Sequence, residues 1–143
     1  MSEALAARLD RIEARTAIAD LVHGYARAVR SEAYEAIAAL FVPEGTFEVR
    51  SGRPDGADST LRQRFDSPAA LVAFLLQGKG GPHPVPLIHN LMVTVDGETA
   101  QAEALMTATI TGTDRTVAGA YQDSFERRDG RWLFRARVYT VFG

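Results

Sequence analysis

Three turn signals in the C-terminal part constrain this chain more than any other feature: Asp96-Gly97, Gly112-Thr113-Asp114-Arg115 and Asp129-Gly130. Asp-Gly marks a two-residue hairpin, because both positions of such a turn must reach positive φ. The turns divide the chain from about residue 87 onward into four strands, a four-stranded antiparallel meander. The N-terminal third reads instead as helix, with Leu5, Leu9, Ile12, Ile18, Leu21, Val22, Tyr25 and Val29 at helical spacing. Helices followed by a sheet predict an α+β domain spanning residues 1–143.

Between these parts the signals are shorter. Ser31 is placed to cap a second helix running to about Phe41, with Glu32 and Glu35 near its positive end. Pro43-Glu44-Gly45 reads as a turn and Thr46–Val49 as a short strand. Residues 50–65, rich in Gly, Asp, Ser and Arg, read as a surface loop or lid. Ser67-Pro68 opens another helix, closed by Gly78-Lys79-Gly80-Gly81. That glycine run lacks the pattern of a phosphate loop.

Sixteen basic and eighteen acidic residues give a net charge of −2, which argues against a nucleic-acid partner. No apolar run has the length of a membrane span, and the N-terminus has no signal-peptide core. The absence of cysteine excludes disulfides, thiolate metal sites and cysteine nucleophiles, so a cytoplasmic location is expected. His83 and His89 have no carboxylate at a ligand spacing, and no metal is expected.

Hairpin register carries the reading to a site, because opposed residues share a face. With Asp96-Gly97, Thr113-Asp114 and Asp129-Gly130 as turns, one face carries His89, Leu91, Val93, the alanines of residues 100–108, Met106, Gly119, Tyr121, Asp123, Phe125, Phe134, Ala136, Val138 and Phe142. Arg131, Arg135 and Arg137 fall on the other, solvated face. His89 and Asp123 then interrupt an apolar surface in one row, roughly 10 Å apart, with Ala104 between them. An imidazole and a carboxylate facing an apolar cavity suit general acid–base chemistry, since burial moves both toward neutrality. One bulge in these strands would reverse the faces.

Leu21-Val22-His23-Gly24-Tyr25-Ala26-Arg27, Ala38-Ala39-Leu40-Phe41, His89 to Gly97, Gly119 to Phe125 and Asp129-Gly130-Arg131-Trp132 together resemble the SnoaL-like branch of the nuclear transport factor two-like superfamily. The likeness spans nearly the whole chain, with motifs that are individually degenerate. It implies a cone-shaped barrel, N-terminal helices packed on a curved, mainly antiparallel sheet. It also implies no organic cofactor and a homodimer or homotrimer. Tyr25 matches the first-helix tyrosine that orients or polarises substrate oxygen in the dehydratase-like members, and His89 their acid–base histidine. Their helical aspartate is missing, since Val29-Arg30-Ser31 stands in its place, and Asp123 is the candidate substitute.

Tyr25, His89 and Asp123 are therefore the candidate catalytic residues, and Tyr121, Met106, Phe125, Phe134, Leu91 and Val138 the candidate cavity wall. Each has a structural alternative: His89 as a buried neutral imidazole, Asp123 paired with Arg27 or Arg62, Tyr25 as core. Three functions remain open. The first is cofactor-independent dehydration, isomerisation or cyclisation of a small, largely apolar oxygenated molecule. The second is non-catalytic binding of such a molecule. The third is a structural subunit like the small subunit of ring-hydroxylating dioxygenases. A free carboxylate favours the first and a paired one the others.

Overall fold

The computed structural model describes residues 2–143. Helix α1 (Glu3–Ser31) starts where Ser2 Oγ accepts from the Leu5 amide at 3.1 Å. It ends at Glu32, whose left-handed φ of 57° lets its amide reach the carbonyls of Ala28 and Val29. Ala14, Ile18, Val22, Tyr25 and Val29 form its buried face, while Leu5, Leu9 and Ile12 remain exposed.

The expected second helix is replaced by two 3₁₀ turns, Tyr34–Ala36 and Ala38–Leu40. Ser31 is the last residue of α1, and its hydroxyl donates to Arg27 O at 2.9 Å instead of capping a new helix. Tyr34 and Ile37, three residues apart, both enter the core, the spacing a 3₁₀ segment presents.

Strand β1 (Phe41–Gly52) runs straight through Pro43-Glu44-Gly45, which the sequence marked as a turn. Those residues form an irregularity between the Phe41 and Thr46 pairings with the last strand. The supposed lid also resolves into regular structure. Strand β2 (Thr60–Phe65) pairs with β1 and leaves only residues 53–59 as a connection. As a charged edge strand β2 shows no hydrophobic alternation: Arg62 bonds Ser51 and Arg64 bonds Glu48, and only Phe65 is buried. Helix α2 (Pro68–Gln77) is as predicted, with Ser67 Oγ accepting from Ala70 N at 3.1 Å and Gly78 closing it.

Strands β3 (Pro84–Asp96), β4 (Thr99–Ile110), β5 (Thr116–Arg128) and β6 (Arg131–Phe142) form the expected meander. The sheet order is β2-β1-β6-β5-β4-β3, and β1 joins β6 in parallel. All other neighbours are antiparallel. The result is an α+β cone: a curved, open six-stranded sheet with the helices on its inner face. None of the described helices is long and apolar enough to cross a membrane.

Register decides what faces inward. The first two hairpins are displaced from the expected pairing by two residues, Val95 opposing Ala100 and Ala104 opposing Tyr121. An even displacement leaves the faces unchanged, so Ala100, Ala102, Ala104, Met106 and Ala108 are all buried. The third hairpin begins as predicted, with Phe125 opposite Phe134. Two bulges then reverse parts of the pattern. In β3 the pairing shifts between His89 and Met92, around Asn90 at φ 53°. In β6 it shifts between Phe134 and Ala136, with Arg135 as the extra residue.

Candidate functional site

The inner face encloses a cavity of about 160 Å³. Tyr25 comes from α1, Phe47 and Val49 from β1, Met106 and Tyr121 from β4 and β5, and Tyr139 from β6. Leu71, Phe74 and Leu75 of α2 close one side, beside Pro84 and Pro86 of β3. Phe74 is 45% exposed, so the cavity borders solvent there. Gly119 makes room for one wall. A β-carbon at that position would lie 2.7 Å from the Tyr139 ring and collide with the Thr140 carbonyl.

Four tyrosines line the cavity, Tyr34 and a cluster of three, Tyr25, Tyr121 and Tyr139. The rings of Tyr121 and Tyr139 lie 5.1 Å apart and those of Tyr25 and Tyr121 6.3 Å apart. Burial pushes all three hydroxyls above the ordinary phenol range, which makes them proton donors and poor bases at neutral pH.

Behind the tyrosines lies an ion pair. Arg137 Nε is 3.0 Å from Asp123 Oδ1, and neither side chain reaches solvent. The approach is off-line for a hydrogen bond, and both Asp123 oxygens and all three Arg137 nitrogens lack a hydrogen-bond partner among the described residues. The guanidinium instead sits among rings, its central carbon 3.5 Å from the centre of Tyr121, 4.5 Å from Tyr25 and 4.9 Å from Phe134. Burial raises the Asp123 carboxyl to about 6, with Arg137 opposing that shift.

The expected residues thus divide. Tyr25, Tyr121 and Met106 line the cavity. Phe125 and Phe134 pack against each other in the solid core, ring centres 4.9 Å apart, and Leu91 packs at the core edge; none of the three lines the cavity. Asp123 is on the inner face as expected, but its partner is Arg137, neither Arg27 nor Arg62.

Three placements are corrected. The β3 bulge turns His89 to the outer face, where its Nε2 sits 2.8 Å from Thr107 Oγ1 in a groove shared with Asp20, His23 and Arg27. His89 and Asp123 therefore do not face one another. The β6 bulge turns Val138 outward, opposite Glu48 and Gln122, along with Ala136 and Phe142. The same bulge brings Arg137 inward from the solvated face to which alternation assigned it.

Sequence reasoning also missed Tyr139 and the α2 contribution. An asparagine inside an apolar strand, a residue tolerant of positive φ, was the available sign of the β3 bulge. Nothing comparable marks Arg135. Among the described residues no group of three or more His, Asp or Glu side chains is arranged to hold a metal ion.

The sequence profile of the SnoaL-like domain matches residues 10–138. The chain belongs to the SnoaL-like domain family. This SnoaL-like chain is similar in structure to a Novosphingobium aromaticivorans protein provisionally named the beta subunit of an aromatic-ring-hydroxylating dioxygenase: 24% identity, 93% of this chain and 92% of that one covered, TM-score 0.77. An NTF2-like protein with a cystatin-like fold from the same organism is 25% identical, with 96% and 87% covered and a TM-score of 0.72. A type 2 hexachlorocyclohexane dehydrochlorinase (LinA) is 18% identical, with 94% and 88% covered and a TM-score of 0.70. At these identities the likeness is one of fold. A search of curated proteins finds no match to the chain.

Proposed function

We propose that this SnoaL-like domain binds one small, largely apolar, oxygen-bearing molecule in the tyrosine-lined cavity. The observation that carries the reading is the lining itself: apolar walls to which Tyr25, Tyr34, Tyr121 and Tyr139 add the phenol groups. A cavity of about 160 Å³ is of the order that admits a single benzene-sized ring. Placing few polar groups in an apolar enclosure fixes a ligand's orientation, and leaving a tyrosine hydroxyl unpaired when the ligand lacks an oxygen gives selectivity.

Catalysis in the same cavity is the second reading. It would be dehydration, isomerisation or cyclisation without a cofactor, with Tyr25 or Tyr121 giving a proton to a substrate oxygen. The clustering of hydroxyls that hold their protons favours it. Among the described residues no imidazole or carboxylate lines the cavity to serve as base, which favours binding.

A thermal-shift screen of single-ring ketones, phenols and enones on wild type and Tyr121→Phe tests the proposal. Stabilisation of wild type by an oxygenated ring, weakened in Tyr121→Phe, is expected. No stabilisation by any single-ring compound would sink it. Incubating the hits and following mass or absorbance decides between binding and turnover.

A further inference from the structure

Arg137 is fully buried, carries an obligate positive charge, and lies one layer behind the cavity wall. Its Nη1 and Nη2 have no hydrogen-bond partner among the described residues, and its single carboxylate neighbour approaches from the Nε edge. Its central carbon lies 3.5 Å from the centre of the Tyr121 ring and 4.5 Å from that of Tyr25, two rings set 70° apart. Resting on the cavity reading above, we propose that Arg137 is a positioning residue for ligand oxygen. Its charge, close to the centres of both tyrosine rings, strengthens their hydroxyls as hydrogen-bond donors, so the cavity selects rings bearing a carbonyl or an anionic oxygen over hydrocarbons of the same shape.

A cation against a phenol ring favours negative charge on the oxygen, and in a dry interior that influence is little screened. Asp123 opposes it from farther along the guanidinium. For both Tyr25 and Tyr121 the acidifying influence of Arg137 exceeds the opposite influence of Asp123. The tyrosines are therefore weak acids through burial, yet better donors than the same phenols would be over a neutral side chain. An oxygen that gains negative charge on binding or reaction, as in an enolisable ketone or a phenolate, profits most.

The test compares acetophenone with ethylbenzene, which share ring and length and differ in the oxygen. It uses wild type, Tyr121→Phe, Tyr25→Phe, Arg137→Lys and the neutral pair Asp123→Val/Arg137→Met. Wild type should prefer acetophenone by about fivefold to tenfold, the value of one good hydrogen bond. The carbonyl ¹³C resonance of the bound ketone should move downfield. In the neutral pair the preference should fall to about twofold with the resonance displaced back, and Arg137→Lys should retain part of both.

Equal preference and equal ¹³C position in wild type and the neutral pair would overturn the role of Arg137 while leaving the cavity reading intact. Should the neutral pair not fold, Tyr121→Phe and Tyr25→Phe decide together, since an undisturbed ¹³C position in both means that neither hydroxyl touches the ketone and Arg137 has nothing to act through. If neither probe binds wild type, the cavity reading itself fails and this assignment falls with it.

Discussion

Strands β3 and β6 each carry one bulge on an otherwise regular inner face, and the two have opposite consequences. In β3 the irregularity at Asn90 moves His89 out of the interior. In β6 the irregularity at Arg135 moves Arg137 into it. The alternation of a strand has period two, so one inserted residue exchanges every side chain beyond it between core and solvent. An imidazole that would have faced Asp123 is replaced by a guanidinium that does. The expected proton-transfer pair becomes a fixed ion pair, and the chemistry left at the cavity is that of the tyrosines.

The largest expected effect breaks the β6 side of this comparison. Arg137→Met alone should cost about 3–5 kcal/mol in urea unfolding, because it strands a buried carboxylate, and Asp123→Asn should cost a similar amount. Replacing both, as Asp123→Val/Arg137→Met, should recover most of the loss. Additive costs in that cycle would show that the pair is not coupled.

The β3 side should respond less. Asn90→Val forces a β-branched residue into left-handed backbone and should cost about 1–2 kcal/mol, whereas Asn90→Gly should be neutral or slightly stabilising. If Val is tolerated and His89 becomes protected from solvent, the bulge has slipped and the two faces have exchanged.

The carboxylate that Arg137 meets on β5 also predicts a pH signature. The Asp123 carboxyl, ordinarily near 3.8, is raised to about 6. Between those values the folded protein holds a proton the unfolded chain has released. Stability from this group is therefore full below the lower value and lost as pH rises through about 6. Surface carboxylates such as Asp10 and Glu98, held low by Arg127, do the reverse and lose their contribution on acidification. Wild type minus the neutral pair in urea unfolding at pH 4.5 and 7 isolates the interior part, and a difference that does not change between those values contradicts the burial of Asp123 as an acid.

The smallest effect is that of His89→Ala, exposed and bonded to Thr107 alone among the described residues. It should stay within about 0.5 kcal/mol of wild type and leave ligand stabilisation unchanged. Loss of binding in that variant would restore the histidine to the site.

Most of the fold was legible because its signals are local. Asp-Gly turns, the Ser67-Pro68 cap and the Tyr25–Val29 stripe act over a few residues, and the meander and both main helices follow from them. What escaped are features decided by distant partners. Strand β2 exists because β1 lies beside it, and its charges mask it as a loop. Pro43-Glu44-Gly45 stays in a strand because β6 holds both of its flanks. Tyr121 and Met106 were found at the cavity because no bulge stands between them and their turns, and Tyr25 because helical spacing alone places it. His89, Val138 and Arg137 were misplaced because one does.

The parallel pairing of β1 with β6 also dictates an order of events. Phe47 finds its neighbour at Arg137, far along the chain, so closing that seam carries a large loop entropy and delays folding relative to the local hairpins. During synthesis the helices and the first hairpins of the meander can form early, but Phe47 and Val49 have nothing to lie against until the last strand emerges. That strand also delivers Tyr139 and Arg137. The chamber is therefore finished only when its final dozen residues arrive, and a chain stopped before them has most of its elements and no closed cavity.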